Sequence, residues 1–287
     1  MPDPTLSVVV PVRDDAAGLR RLLASLAEQT LSSDEFEVIV VDNASRDETP
    51  QVAEAAAARI VHEPSPSRAR ARNTGARSAR GRRLAFIDAD CVATPTWLEA
   101  LTGAADTAPL VAGAVRLTTA DPPNAIERFE RLYRFPQERA VAQGWAATAN
   151  LLVERAAFDA TGGFDVAYRS IAEDADFCVR AGRAGFELAY CKDALVEHPA
   201  ERQVWPLLKR AFWHGYSAAQ ASRRLGLGYV AWRHPLPLLR GALAARVIGI
   251  DQSSVTSADW NTVRALARAS YAMRTAGSVW SGVRRAR

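Results

Sequence analysis

Two carboxylates stand one residue apart at Asp88 and Asp90, directly after the apolar run of residues 84–87. Such a run is typical of a buried strand, and in open α/β sheets the carboxyl ends of the strands face the ligand crevice. Residues i and i+2 of an extended segment point the same way, so both carboxylates can reach one ligand. Carboxylate oxygens are the ligands that a hard divalent cation prefers. A polar turn after a buried strand is the alternative interpretation.

The composition limits the class of protein. The chain has 287 residues, 48% of them hydrophobic and 24% charged, which is typical of an ordinary soluble protein with a sizeable core. The best candidate for a membrane span, residues 236–250, is interrupted by Arg240 and Arg246 and is shorter than the ~20 residues a span needs. The amino terminus lacks a signal-peptide pattern. Three cysteines, which are not at zinc spacing, favour a reduced cytoplasmic protein.

Charge is distributed unevenly along the chain. Residues 201–287 carry 14 basic and three acidic side chains, a net charge of +11, whereas residues 1–200 have a net charge of −7. Five of the seven tryptophans also lie in residues 201–287. A basic tail of this kind is expected to meet an anionic partner. Interleaved arginine and tryptophan suit a membrane interface and also nucleic acid.

Strand and helix patterns alternate in the first half of the chain. Strands are predicted over residues 6–12, 36–41, 59–62 and 84–87, and helices over residues 17–29, 49–58 and 95–105, with a basic loop that runs into a helix at 65–83. Strands separated by helices of ~10–15 residues predict a mostly parallel α/β sheet flanked by helices.

The pattern is looser in the second half. Helices are predicted over residues 125–133, 156–161 and 173–184, strands over 147–153, 186–190 and 194–196, and a largely helical segment after residue 199. These patterns predict three regions, at residues 1–115, 116–200 and 201–287.

Seven sequence blocks carry a family resemblance. They lie at residues 7–13, 38–47, 71–75, 86–90, 162–165, 173–177 and 197–199. In this order they resemble glycosyltransferase family 2 enzymes of the GT-A fold, over roughly residues 5–200. The resemblance implies a Rossmann-like sheet with a nucleotide-sugar-binding half in residues 1–115, an acceptor and catalytic half in residues 116–200, and a basic helical extension in residues 201–287.

The resemblance also implies a reaction. It is the inverting transfer of a sugar from a nucleotide-sugar, with UDP as the expected nucleotide, to an acceptor hydroxyl. Processive members of the family carry a Gln-x-x-Arg-Trp motif. The most similar segment here, residues 202–205, does not match it, so the addition of a single sugar is favoured. The expected acceptor is lipid-linked or membrane-proximal, with residues 201–287 touching the inner face of the membrane peripherally. A nucleic-acid partner is then disfavoured.

The resemblance assigns a set of residues to the nucleotide-sugar. The set is Pro11, Val12, Arg13, Asp42, Arg72, Asp88 and Ala89. Asp42 is expected at the base or ribose, with an Asx-turn as the alternative. A guanidinium at Arg72 suits a diphosphate. The neighbouring Arg68 and Arg70 are expected on a solvated basic face.

The metal and the base are implied in the same way. Asp90 and His198 are expected to bind Mn²⁺ or Mg²⁺, which neutralises the leaving diphosphate. Asp174 is the expected catalytic base, because a positioned carboxylate can take the acceptor proton, and Glu173 stands beside it. The alternative is that both are ordinary acids in the first turn of a helix.

Two other functions stay open at this point. One is a non-catalytic GT-A module that binds nucleotide or glycan. The other is a sugar nucleotidyltransferase, although residues 14–18 do not form the glycine-rich, arginine-containing loop that such an enzyme needs after its first strand. No Gly-x-Gly-x-x-Gly follows a strand, which disfavours a dehydrogenase.

Overall fold

The computed structural model describes residues 4–56, 58–168, 171–226 and 257–283. The predicted segment at residues 236–250, with Trp232 and His234, lies outside them. The elements of the described chain are β1 (Leu6–Val12), α1 (Ala16–Ala27), β2 (Phe36–Asp42), α2 (Thr49–Ala55), β3 (Arg59–His62), α3 (Arg68–Ser78), β4 (Arg83–Ile87), β5 (Val92–Ala93), α4 (Trp97–Ala104), β6 (Leu110–Thr118), α5 (Ala125–Tyr133), α6 (Gln137–Val141), β7 (Asn150–Glu154), α7 (Arg155–Thr161), α8 (Glu173–Arg183), β8 (Leu188–Pro199), α9 (Val204–Arg224) and α10 (Ser257–Val283).

The strands form one eight-stranded sheet in the order β3-β2-β1-β4-β7-β6-β8-β5. β1 pairs in parallel with β2 and β4, and β2 pairs in parallel with β3. The pairs β4–β7, β6–β7 and β5–β8 are antiparallel. The predicted α/β fold is therefore confirmed, with its parallel pairs among β1 to β4 and its antiparallel pairs formed by β7 and β8 with β4, β5 and β6.

Helices cover both faces of this sheet. Side chains of a strand alternate between faces, and β1 shows this directly. Val8 and Val10 belong to one apolar cluster, which includes residues of α1 and α4. Val9 belongs to a second cluster, which includes residues of α3, α7 and α8. Apart from the buried Ser7, the strand is apolar, as expected when both of its faces are buried.

Some element boundaries differ from the predicted ones. The two strands predicted at residues 186–190 and 194–196 are one strand, β8, in which Lys192 and Asp193 are exposed and interrupt the apolar pattern. The predicted strand at 147–153 begins at Asn150. β5, β6 and α6 were not predicted. β5 and α6 have two and five residues, which is too short for a recognisable period.

The chain divides into two compact units. The first comprises Met1–Arg116, Phe135–Arg169 and Glu173–Pro199, and the second comprises Leu117–Arg134, Ser170–Ala172 and Ala200–Arg287. In the second unit α9 and α10 approach closely at two glycines. A Cβ at Gly215 would lie 1.8 Å from the carbonyl oxygen of Arg274, and one at Gly277 would lie 2.0 Å from that of Phe212. Within the described residues, no helix combines the length and apolarity that crossing a bilayer requires.

Candidate active site

The carboxyl ends of the parallel strands meet at one edge of the sheet. Asp42 is the last residue of β2, and its Cα partner on β1 is Val12. Asp88 directly follows the last residue of β4. The strand order β3-β2-β1-β4 thus brings the residues predicted for the nucleotide to the same edge as the first carboxylate of the Asp88–Asp90 pair.

Asp42 is buried at this edge, and its two oxygens have different neighbours. Oδ1 accepts a 3.1 Å hydrogen bond from the backbone N–H of Ser45, which closes a turn after β2. Oδ2 lies 3.3 Å from Nδ1 of the exposed His62. On the neighbouring strand, Val12 is buried, while the next residue, Arg13, is exposed with Nε 3.5 Å from Oδ2 of Asp14.

Arg72 lies inside the site, with only 4% of its side chain exposed. Its Nη1 donates a 2.7 Å hydrogen bond to Oε1 of Glu173, and its Nη2 donates a 3.1 Å hydrogen bond to Oδ1 of Asp88. Burial disfavours the charged guanidinium, but Asp88, Glu173 and Asp174 outweigh this and raise the pKa of Arg72. Arg72 therefore joins the end of β4 to the start of α8.

The charge of Asp88 is stabilised by its surroundings. Burial raises its pKa, but the positive charges of Arg72 and Arg68, with a contribution from His198, lower it further than burial raises it. Arg68 was assigned by its sequence to a solvated face. It is exposed at the first position of α3, and its charge nevertheless acts on Asp88. Arg68 is one of several arginines on α3, and nothing in the sequence singles it out.

Asp88, Asp90 and His198 offer one ligand atom each, and these atoms lie within 4.8 Å of one another. Nε2 of His198 is 3.3 Å from Oδ1 of Asp90. Nδ1 of the same ring lies 2.7 Å from the carbonyl oxygen of Pro199, which can only accept. Nδ1 therefore carries the proton, and in the neutral ring Nε2 keeps its lone pair for a ligand. Two carboxylates and an imidazole are a donor set that fits Mn²⁺ or Mg²⁺.

Glu173 and Asp174 open α8 and have different environments. Glu173 is buried and paired with Arg72. Asp174 is half-buried and accepts a 2.8 Å hydrogen bond from the backbone N–H of Ala175. Burial, followed by the negative charges of Glu173 and Asp88, raises the pKa of Asp174 to about 7, although Arg72 and the Ala175 N–H act in the opposite direction. A carboxylate with such a pKa can accept a proton near neutral pH.

A second set of polar contacts fixes α8. Nε of Arg180 donates a 2.7 Å hydrogen bond to Oδ2 of Asp176, while its two Nη atoms donate to the carbonyl oxygens of Thr161 and Gly163. Gly163 has φ of 78°, and a Cβ there would lie 2.7 Å from Oδ1 of Asn73. The sequence pattern indicated a turn at Gly163, but it gave no signal for Arg180.

Comparisons with known proteins agree with one another. Residues 7–173 match the model of the family described as glycosyl transferase family 2. The glycosyltransferase AglE of Haloferax volcanii is 30% identical over 218 residues, which cover 73% of this chain and 71% of that protein. The pre-mycofactocin glycosyltransferase of Mycobacterium tuberculosis is 31% identical over 257 residues. That match covers 85% of this chain but about half, 52%, of the relative.

Solved structures share the fold. The mannosyltransferase PcManGT from Pyrobaculum calidifontis, in complex with GDP-Man and Mn²⁺, superposes with a TM-score of 0.63 at 22% identity, over 99% of this chain and 87% of that one. Residues 1–349 of S. aureus TarS, in complex with UDP, give a TM-score of 0.54 at 17% identity, over 99% of this chain and 92% of that one.

Proposed function

This chain belongs to glycosyl transferase family 2 and has the GT-A fold, and from that premise we propose that it transfers one sugar, with inversion, from a nucleotide-sugar to an acceptor hydroxyl. It is a transferase enzyme, as its family and its relatives indicate. The grouping of Asp88, Asp90 and His198 at the carboxyl end of the sheet carries the proposal. A non-catalytic module has no need of the high-pKa carboxylate beside that group.

On the donor side, Asp90 and His198 would hold Mn²⁺ or Mg²⁺, which supplies positive charge to the leaving diphosphate. Asp88, with Ala89, faces the ribose or the sugar. Its charge is maintained by Arg72 and Arg68, so it can accept hydrogen bonds from hydroxyls.

The nucleoside lies on Pro11, Val12, Arg13 and Asp42. Backbone groups at the end of β1 hold the base, and Oδ2 of Asp42 is the acidic acceptor near it. Arg72 donates to two carboxylates, so besides facing the diphosphate it positions Asp88 and Glu173, while its buried Nε has no hydrogen-bond partner among the described residues. A uridine nucleotide is the first donor to test, because the family resemblance implies it.

Asp174 acts on the acceptor. As the acceptor oxygen attacks the anomeric carbon, Asp174 takes the hydroxyl proton, the bond from the anomeric carbon to the diphosphate oxygen breaks, and the configuration inverts. Glu173 forms an ion pair with the buried Arg72. It serves as a positioning residue that fixes the first turn of α8.

The acceptor side involves the basic tail. Trp205 has 71% of its surface exposed, at the start of α9, and Trp280 is also exposed. Exposed tryptophan within a region of net charge +11 suits the headgroup layer of an anionic membrane. We infer that residues 201–287 dock peripherally on such a surface and meet a lipid-linked or membrane-proximal acceptor.

The experiment that tests this function is a donor screen. The purified chain is incubated with a panel of UDP-sugars and GDP-sugars and Mn²⁺, and release of the nucleoside diphosphate is measured with and without excess chelator. The proposal predicts metal-dependent release from one class of donor. If no donor is turned over with any metal, the proposal is wrong.

A further inference from the structure

Four non-glycine residues of the described chain have a positive φ, a backbone region that L-amino acids rarely adopt: Asp14, Ala44, Phe135 and Ala172. Three of them lie within two residues of Arg13, Asp42 or Glu173 in the candidate site. The fourth, Phe135, is far from the site in sequence, but its ring contacts that of His198. Backbone strain of this kind persists where the surrounding structure enforces it, and it concentrates at functional sites.

The backbone of Phe135 departs from two preferences at once. Its φ is 52°, which is unfavourable for a bulky side chain, and the following Pro136 favours an extended conformation at the residue before it. The carbonyl oxygen of Phe135 accepts a 2.8 Å hydrogen bond from the N–H of Gln137, the first residue of α6. The buried Gln137 side chain in turn bonds to the backbone of Ala147 and Asn150, just before and at the start of β7. The conformation of Phe135 is thus held by its anchored neighbours.

This conformation places the Phe135 ring against the imidazole of His198. The two ring centroids are 4.9 Å apart, and the ring planes are inclined by 49°. His198 is only 3% exposed. Its Nδ1 lies 2.7 Å from the carbonyl oxygen of Pro199, and its Nε2 lies 3.3 Å from Oδ1 of Asp90. Rotation of the imidazole about its Cβ–Cγ bond would move Nε2 away from Asp90, and close packing against the Phe135 ring opposes that rotation.

We propose that Phe135 is a positioning residue that fixes the imidazole of His198 for metal binding. This role rests on the metal site of the proposed function and extends that site to a residue that provides no ligand atom. A metal-binding histidine needs outer contacts that set the orientation of its ring. Here the hydrogen bond to Pro199 holds one edge of the imidazole, and the Phe135 ring opposes its rotation. The apolar ring also limits the access of water to the ligand.

The test measures the affinity of the intact chain for Mn²⁺, without donor, from the electron paramagnetic resonance signal of the free ion. Phe135→Asn removes the ring but suits a positive φ, because asparagine adopts that conformation more readily than most side chains. Phe135→Leu removes the ring and keeps an apolar side chain. Both changes should weaken Mn²⁺ binding by about tenfold or more, the usual loss when an outer partner of a metal ligand is removed.

Two control variants separate the role of the ring from general packing. Phe135→Tyr keeps the ring and should bind Mn²⁺ as the wild type does. Phe186→Leu removes a half-buried ring just before β8, whose far end carries His198, and should also bind Mn²⁺ as the wild type does. Thermal unfolding shows whether each variant is folded at the temperature of the titration.

The role of Phe135 is overturned if Phe135→Asn and Phe135→Leu bind Mn²⁺ as tightly as the wild type, or if Phe135→Tyr binds it as weakly as they do. Asp90→Asn identifies the origin of a failure. If Asp90→Asn loses Mn²⁺ binding while the Phe135 variants keep it, only the role of Phe135 is wrong. If the wild type does not bind Mn²⁺, or if Asp90→Asn binds it equally well, the metal assignment of the proposed function is wrong, and the role of Phe135 falls with it.

Discussion

Nη1 of Arg72 donates a 2.7 Å hydrogen bond to Oε1 of Glu173, and both side chains are buried. The contact joins α3 to α8 across 101 residues of sequence. It gives Glu173 a charge partner, and in the function that we propose the adjacent Asp174, with its raised pKa, is the carboxylate that accepts the proton.

Arg72→Met should destabilise the chain strongly. The change leaves Glu173 buried without its counter-ion, and breaking a buried pair from one side costs about 3–5 kcal/mol. Urea unfolding measures this loss. Arg68→Met is the control, because Arg68 is exposed on the same helix and an exposed substitution changes stability by about 0.5 kcal/mol or less. Equal stability of the two variants would show that the Arg72–Glu173 pair does not hold α8.

Metal removal should abolish transfer. Excess chelator is expected to stop nucleotide release, and Mn²⁺ or Mg²⁺ should restore it. Without the metal that Asp90 and His198 would hold, the negative charge of the leaving diphosphate is not compensated. Asp90→Asn should lose donor binding as well as turnover, measured by calorimetry with the nucleotide. Asp193→Asn, exposed on the strand that carries His198, should change neither. Full activity in the presence of excess chelator would show that transfer does not require a metal.

The pH profile of kcat/KM should fall on its acidic side near pH 7. Asp174 must be unprotonated to accept a proton, and its pKa is raised to about 7, so activity is lost as pH falls through that value. A carboxylate at its ordinary pKa of 3.8 would leave the profile flat there. Glu173→Gln should move the limb to lower pH, since it removes a neighbouring negative charge and frees Arg72. If the acidic limb of the Glu173→Gln profile stays at the same pH, a group other than Asp174 is responsible for it.

Vesicle binding tests the basic tail. Co-sedimentation with phosphatidylglycerol vesicles should rise with the anionic fraction and fall with added salt, because each basic residue near the surface contributes about 1 kcal/mol that salt screens. Trp205→Ala should weaken it. Val166→Ala, at an exposed apolar position of the first unit, serves as the control. If the intact chain does not co-sediment with anionic vesicles at low salt, a small soluble acceptor becomes the better candidate.

The parallel half of the fold was predictable because its strands are apolar on both faces. Val8, Val9 and Val10 make a continuous apolar run, and the acids Asp42 and Asp88 follow such runs directly. The antiparallel half was harder to predict. In β8 the exposed Lys192 and Asp193 break the pattern, so one strand was predicted as two.

The positions of the acidic residues of the candidate site could be predicted from the sequence, but most of the contacts between its side chains could not. The spacing of Asp88 and Asp90 and the position of Asp174 at a helix start are visible in sequence. The two partners of Arg72 are not, because Glu173 comes from a distant helix and no local pattern encodes that pairing. The contribution of Arg68 to the charge of Asp88 is likewise a product of tertiary structure.

The most direct test of the central claim is the transfer rate of Asp174→Asn, measured beside its donor affinity and the anomeric configuration of the product. The amide keeps the size of the side chain but cannot take the acceptor proton. Donor affinity should stay near that of the wild type, while transfer falls by about 10²–10⁴-fold and the wild-type product shows inverted configuration. Undiminished transfer by Asp174→Asn, or a wild-type product that retains the donor configuration, would contradict the account.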